Sequence, residues 1–430
     1  MLYQDAAAYA LEKLIKAGAD KAVCSASSGR KDEFNIEADD FSLLRTVFSN
    51  GISLKAIKDN RKGVTVINKL EKEAIDKAVE LCIEMAASAE PDEAEDIADI
   101  AVKEKFDRQI GGPDMAGLFK STKEFLEQVA DEFPKIILEG VTTDFNSGQS
   151  IYLNSNGVEF IDYAEYYSMG TMFAAKDGEK SSSFSGYSNT YTSLDIPIID
   201  MGLHRSLLRD SVAALDTRMV EGKFDGKIIV TPVCDDMIWD TVFGTFLSDV
   251  SLITETSRWK ESLGEKVADS KLTMRLNPFR DDIVAGERYT SDGFLSEATD
   301  IIRDGVLKSF ALSLYGANKT GKPRATASSG LEVAAGDVPL DEMIKSIDRG
   351  ILINRFSGAS PGPSGDVSGI AKNSFLIENG KITDALAETM LSFNIMDILQ
   401  KIPAISKERC AIGGSLLPWC LFDGVTISGK

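Results

Sequence analysis

Between residues 135 and 191, apolar and polar residues alternate in runs of strand length. The runs are broken by Asn-Ser-Gly at 146–148, Asn-Ser-Asn-Gly at 154–157 and Lys-Asp-Gly at 176–178. A period of two sends successive side chains to opposite faces, so such a stretch must become an antiparallel sheet with one face covered. Strands are expected over 141–146, 149–154, 157–174 and 182–192. The serine-rich run at 181–189 reads as a strand with a polar face rather than as a hydroxyl-lined ligand site.

Cover for that sheet comes from stretches with helical spacing. Residues 2–17 are amphipathic and end at Gly18; 70–89, 114–133 and 204–216 follow the same pattern. Strands are expected at 22–27, 33–38, 43–50 and 53–59, with Asn50-Gly51 as a hairpin turn. Residues 90–104 are acidic and alanine-rich and read, with 107–112, as a solvated connector. After Glu221-Gly222, residues 227–230 form a short apolar strand, 235–252 read as one helix, and short strands continue to about residue 317. The expected architecture is α+β in two domains. An N-terminal half comprises a unit at 1–89, a connector at 90–112 and a helix plus meander at 113–222. A strand-rich domain spans 227–430.

Residues 350–381 stand apart. An apolar, β-branched run at 350–356 leads into a Gly/Pro/Ser-rich segment at 358–369, expected to form neither helix nor ladder. Phe375-Leu376-Ile377 then runs into Glu378-Asn379-Gly380-Lys381, where Asn-Gly suits a two-residue hairpin. A loop of that length inside a domain is a place for function. Arg355, Ser357, Gly358, Asn373 and Ser374 around it are candidates for holding a peptide or a partner chain, with Arg355 able to meet a carboxylate and Asn373 and Ser374 able to bond a peptide backbone.

Composition excludes several functions. The 67 acidic residues against 47 basic ones give a formal charge of -20, and no basic cluster offers the phosphate contacts that nucleic acid needs. The opening residues lack a basic, then apolar, leader pattern, so neither a signal peptide nor a membrane span is expected. Five cysteines are scattered without any C-x-x-C pair, which suits a reducing cytoplasm. A hydrolytic metal centre needs several imidazole, thiolate or carboxylate ligands at fixed offsets, yet the chain has one histidine, His204. The positions three to five after it hold Leu207, Leu208 and Arg209, none of them a metal ligand, so it reads as structural. Ser-His-Asp chemistry would depend on the same residue, and no G-x-S-x-G elbow accompanies it.

The RFSG run at 355–358, the glycine-rich loop and SGIAKNSFLIENGKI after it resemble the C-terminal region of the TldD/PmbA family, in its PmbA (TldE) branch. Three further stretches agree in family order: 305–309 before Tyr315-Gly-Ala-Asn-Lys319, the N-terminal pattern from 18 to 88, and the closing run at 421–429. TldD-type members carry His-Glu-x-x-x-His on a mid-chain helix, with a cysteine near the C-terminus as a further ligand. The matching helix here reads Trp239-Asp240-Thr241-Val242-Phe243-Gly244, and the cysteine position matches Cys410. Trp239 and Gly244 replace the two histidines and Asp240 the glutamate, so the resemblance implies no metal in this chain. It implies instead a zinc-bearing TldD-like partner, with which a PmbA-like chain acts on unfolded peptides in the cytoplasm. Two other roles stay open: a homodimeric binding or assembly protein, and a peptidase in its own right using Asp240 and Cys410. The family's older naming as a modulator of DNA gyrase sits poorly with the acidic charge.

Overall fold

Helix α1 (Tyr3–Lys16) forms because Ala6, Ala7, Ala10 and Leu14 share one face and are buried, while Glu12 and Lys16 face out and pair. Gly18 follows it at φ +89°, a left-handed conformation suited to a residue without Cβ. This computed structural model describes residues 1–37, 40–358 and 361–429. Strands β1 (Lys21–Glu37), β2 (Asp40–Lys58) and β3 (Arg61–Ile67) pair antiparallel in sequence, and α2 (Lys72–Ser88) returns across them. Leu14, Cys24, Ile52, Leu54, Ile75 and Cys82 form the core between.

The sheet continues through β4 (Lys103–Arg108), β5 (Ile136–Asn154), β6 (Glu159–Asp177), β7 (Lys180–Ser181) and β8 (Ser185–Tyr191), in the order β3-β2-β1-β5-β6-β4 with β7 and β8 also on β6. Helix α3 (Met115–Glu132), whose first turn is capped by the Asp114 carboxylate accepting from the Gly117 amide, covers it with α4 (His204–Ala213). Phe125, Phe145, Phe173, Leu207 and Leu208 fill that layer.

Several expected turns are strand interior. Asn50 and Gly51 lie within β2 opposite Ser28 and Ser27, and 146–148 lie within β5, paired with β1 on one side and β6 on the other. Main-chain pairing with neighbouring strands outweighs the local turn preference of Asn, Ser and Gly. Ser49, Gly29, Gly148 and Ala164 stand in one row across four strands, and a concave surface opens over them. The expected solvated connector is also packed. Ile97 and Ala98 are buried, Glu95 pairs with Lys55 and Lys62, and β4 forms a parallel edge on β6. Tyr315 and Asn318 of the second half hold Asp92 and the Ala94 carbonyl.

The second half adds β9 (Thr217–Arg218), β10 (Lys223–Val230), α5 (Trp239–Val242), α6 (Asp249–Ile253), β11 (Met274–Leu276), β12 (Thr299–Arg303), β13 (Val306–Leu307) and α7 (Leu314–Thr320). It ends with β14 (Leu331–Val333), α8 (Leu340–Lys345), β15 (Arg349–Gly358), β16 (Asp366–Glu378), β17 (Lys381–Leu386), β18 (Thr389–Asn394), α9 (Ile395–Leu399), β19 (Ala404–Ile412) and β20 (Ser415–Ser428). Pairing runs β10–β15–β16–β18–β20 and back to β10, which closes a barrel. Ile228, Ile351, Ile353, Leu391, Phe422 and Ile427 belong to the core that this ring of pairings encloses and supports. The Asn379-Gly380 hairpin is present, with φ +50° and +74°.

Two further expectations change. The helix at 235–252 is broken: α5 passes into a wide π turn at Phe243–Leu247, and Ser248 is extended, its hydroxyl accepting from the Ser251 amide to start α6. The glycine-rich segment is partly a ladder, because Asp366 to Gly369 pair with β18 and Gly369 also meets Gly358. The Phe356 ring lies against that glycine pair, where a Cβ on Gly369 would fall 2.4 Å from it. Ala359 and Ser360, within the expected loop, lie outside the described residues.

His204 is fully buried, stacked on Phe125 at 4.8 Å. Its Nδ1 lies 3.1 Å from the Ile198 carbonyl, which can only accept, so Nδ1 carries the proton and Nε2 faces the Thr171 hydroxyl at 3.0 Å. Burial pushes its pKa down to about 4. The unfolded chain binds a proton near pH 6.5 that the folded chain refuses, so this group's stabilisation is full above that pH and falls toward pH 4, by on the order of 3 kcal/mol. In thermal melts, His204→Gln is expected to lose less Tm than the parent between pH 6.5 and 4.5; an equal loss would assign the acid sensitivity elsewhere.

Candidate functional cleft

Beside α5 lies a cleft of about 500 Å³. One wall comes from the helical segment, through Asp240, Thr241, Gly244 and Thr245; the other from β15 and the segment after it, through Phe356, Gly358 and Pro361 to Pro363. Asp240 and Gly244 share a face because they are four residues apart, and both are exposed. Nothing stands within 4 Å of where a Gly244 Cβ would be. Ser251 and Thr256 add hydroxyls, and Met237 and Val367 add apolar floor. π turns of this kind are frequent at functional sites.

The candidate residues divide. Asp240, Gly244 and Gly358 line the cleft; Ser357 is exposed next to it. Trp239 is 3% exposed and belongs to the barrel-side core. Cys410 is absent from the cleft: it packs in the other core beside Tyr187, whose hydroxyl is 3.9 Å away, and burial pushes its thiol pKa up. Arg355 and Asn373 are brought together, but on the chain's own N-terminal half. The Arg355 guanidinium donates to the Ser183 hydroxyl at 2.6 Å and lies over the Phe184 ring, while the Asn373 amide donates to the Phe184 carbonyl at 2.9 Å. Burial lowers the Arg355 pKa, although a guanidinium stays charged. Ser374 is buried and donates to the Lys372 carbonyl.

These residues do not fit a zinc ion. Indole and glycine offer no ligand, Cys410 lies in another core, and among the described residues no three His, Cys, Asp or Glu side chains are grouped to hold a metal. The cleft can instead hold an extended chain. β15 pairs with β10 only through Ile353, so beyond that point its second edge has no strand beside it among the described residues, and Phe356 and Gly358 there line the cleft. The residues missed are Thr241 and Thr245, which with Asp240 and Gly244 make a small polar stripe on an otherwise apolar segment.

The fold has known counterparts. The chain is 23% identical to metalloprotease PmbA of Escherichia coli O157:H7 over 388 residues, 85% of this chain and 84% of that protein. It is 22% identical to a metalloprotease of Methanocaldococcus jannaschii, covering 97% of this chain and 95% of that one. TldE from Thermococcus kodakarensis superposes with a TM-score of 0.84 at 20% identity, over 98% of this chain and all (100%) of that one. A Bacteroides thetaiotaomicron protein described as a modulator of DNA gyrase gives 0.86 at 23% identity, over 99% of both. The family model described as PmbA/TldA metallopeptidase domain 1 matches residues 22–86, and the one described as the C-terminal domain matches 223–429. With both models matched in order, the chain belongs to the PmbA/TldD metallopeptidase family.

Proposed function

We propose that this chain is the PmbA-type, TldE-like subunit of a TldD-type metallopeptidase complex acting on unfolded peptides, and that it supplies peptide binding rather than the metal. The observation that carries this reading is the cleft itself: the positions of the family's metal motif hold a core indole and a bare glycine, yet the surface beside them remains open and polar. An extended peptide would lie along β15 past Ile353, meeting Asp240 and the threonine hydroxyls, while a TldD-like partner holds the zinc and the attacking water. Assembly is supported by β2, whose residues before Ile52 have no β3 partner and expose Leu44 and Phe48. The five cysteines are buried and none is in a disulfide, which suits the cytoplasm, and no helix among the described residues is long and apolar enough to cross a membrane.

Mixing the purified chain with a zinc-loaded TldD-like protein tests this. Cleavage of a denatured substrate is expected to rise at least tenfold over the partner alone, with a heteromer on size exclusion. An unchanged rate and a self-associated chain would favour a homodimeric, non-catalytic binding protein, for which the same β2 edge would serve.

A further inference from the structure

A second cavity, of about 650 Å³, lies where α4 meets the barrel strands and α8. Its walls are largely apolar, with Leu203, Leu207, Leu340, Leu352, Phe375 and Trp419 among them. Asp210 sits in that lining. One of its oxygens accepts from the amide of buried Asn354 at 3.0 Å; the other has, among the described residues, only a 3.4 Å contact with Arg209, whose side chain is 71% exposed. Burial holds the Asp210 carboxyl above the usual range, against the opposing pull of Asn354 and Arg209. Asp216 and Asp384 also line the cavity, each already paired with a cation, Lys180 and Arg218 respectively.

With Arg209 as the one cation among the lining residues against three carboxylates, the lining favours a cation over an anion, and a neutral apolar molecule would leave one Asp210 oxygen with only its long Arg209 contact. A cation on an apolar body satisfies both wall and carboxylate, and the volume falls in the range of small-ligand sites, roughly 300–1,000 Å³. We propose that this cavity binds the free amino terminus of a peptide with hydrophobic leading residues, the ammonium on Asp210 and the side chains against Phe375 and Trp419. Asn354, Ser206 and Thr383 add polar groups for the first peptide bonds. The choice of a peptide rests on the function proposed above; the site's chemistry does not.

Calorimetry on the isolated full chain tests it, using Leu-Phe-Ala amide, the same peptide N-acetylated, and phenethylamine. The free peptide is expected to bind at least tenfold tighter than the acetylated one. Asp210→Asn, which keeps the Asn354 contact sterically, and Ala213→Phe, which narrows the cavity, should each weaken binding at least tenfold, with circular dichroism confirming folding. Val66→Ala, exposed on β3 and in neither lining, should leave binding unchanged. Equal binding of the acetylated peptide, no binding at all, or indifference to Asp210→Asn would overturn the site. Phenethylamine binding as tightly as the peptide would overturn its assignment to peptides. Because no partner or cleavage is involved, failure of partner-dependent cleavage leaves this result standing, and the reverse holds too.

Discussion

Gly244→Arg and Gly244→Phe are each expected to cut peptide cleavage by the proposed complex with a TldD-like partner at least tenfold while leaving the fold intact. Position 244 is exposed in the helical wall of the cleft, and an added Cβ meets nothing within 4 Å. Replacing glycine inside a helical segment costs no backbone strain here and removes an entropy penalty of about 0.5–1 kcal/mol. The longer side chains project into the space shared with Phe356, Gly358 and Pro361. Two substituents of different chemistry separate blockage from charge. The readout is kcat/KM of the mixed complex beside thermal melts of the isolated chain. Full activity with either variant would remove the cleft from the peptide's path.

Gly63→Val is expected to cause the largest loss of stability, at least about 3 kcal/mol, beyond the roughly 1–3 kcal/mol typical of side-chain overpacking. A Cβ at Gly63 would lie 1.9 Å from the Cys82 carbonyl oxygen and 2.7 Å from the Ala86 nitrogen. Both are backbone atoms of α2, so no rotamer change relieves the clash; the whole helix must lift. That would strip cover from Ile75, Val79 and Cys82, which α2 buries against the sheet. Urea denaturation measures the change, with Val64→Ala as an exposed neighbour expected to stay within about 0.5 kcal/mol. A cost under about 1 kcal/mol for Gly63→Val would mean that α2 does not rest on β3 as described.

The parts of this fold that local chemistry decides were legible in the sequence. The Asn379-Gly380 turn, the start of α3 at Asp114 and the amphipathic helices all follow from residues close in the chain. What was not legible depends on distant partners. Asn50-Gly51 and 146–148 have turn chemistry but are held extended by the strands they pair with. Arg355 and Asn373 looked available for a ligand, yet their partners, Ser183 and Phe184, come from the other half of the chain. The acidic run at 90–104 hides Ile97 and Ala98, whose burial needs strands far from it in sequence. Of the cleft lining, the sequence singles out Asp240 and Gly244 as degenerate metal positions and Gly358 as a loop candidate; Phe356, Thr245 and Thr256 join them only through folding.

Zinc content and cleavage by the isolated chain go most directly to the proposal that it holds no metal centre of its own. After equilibrium dialysis against zinc, the pure protein is expected to hold well under one ion per chain and to leave a denatured peptide intact, with or without a chelator. One zinc per chain, together with chelator-sensitive cleavage that Asp240→Asn or Cys410→Ser abolishes, would contradict it.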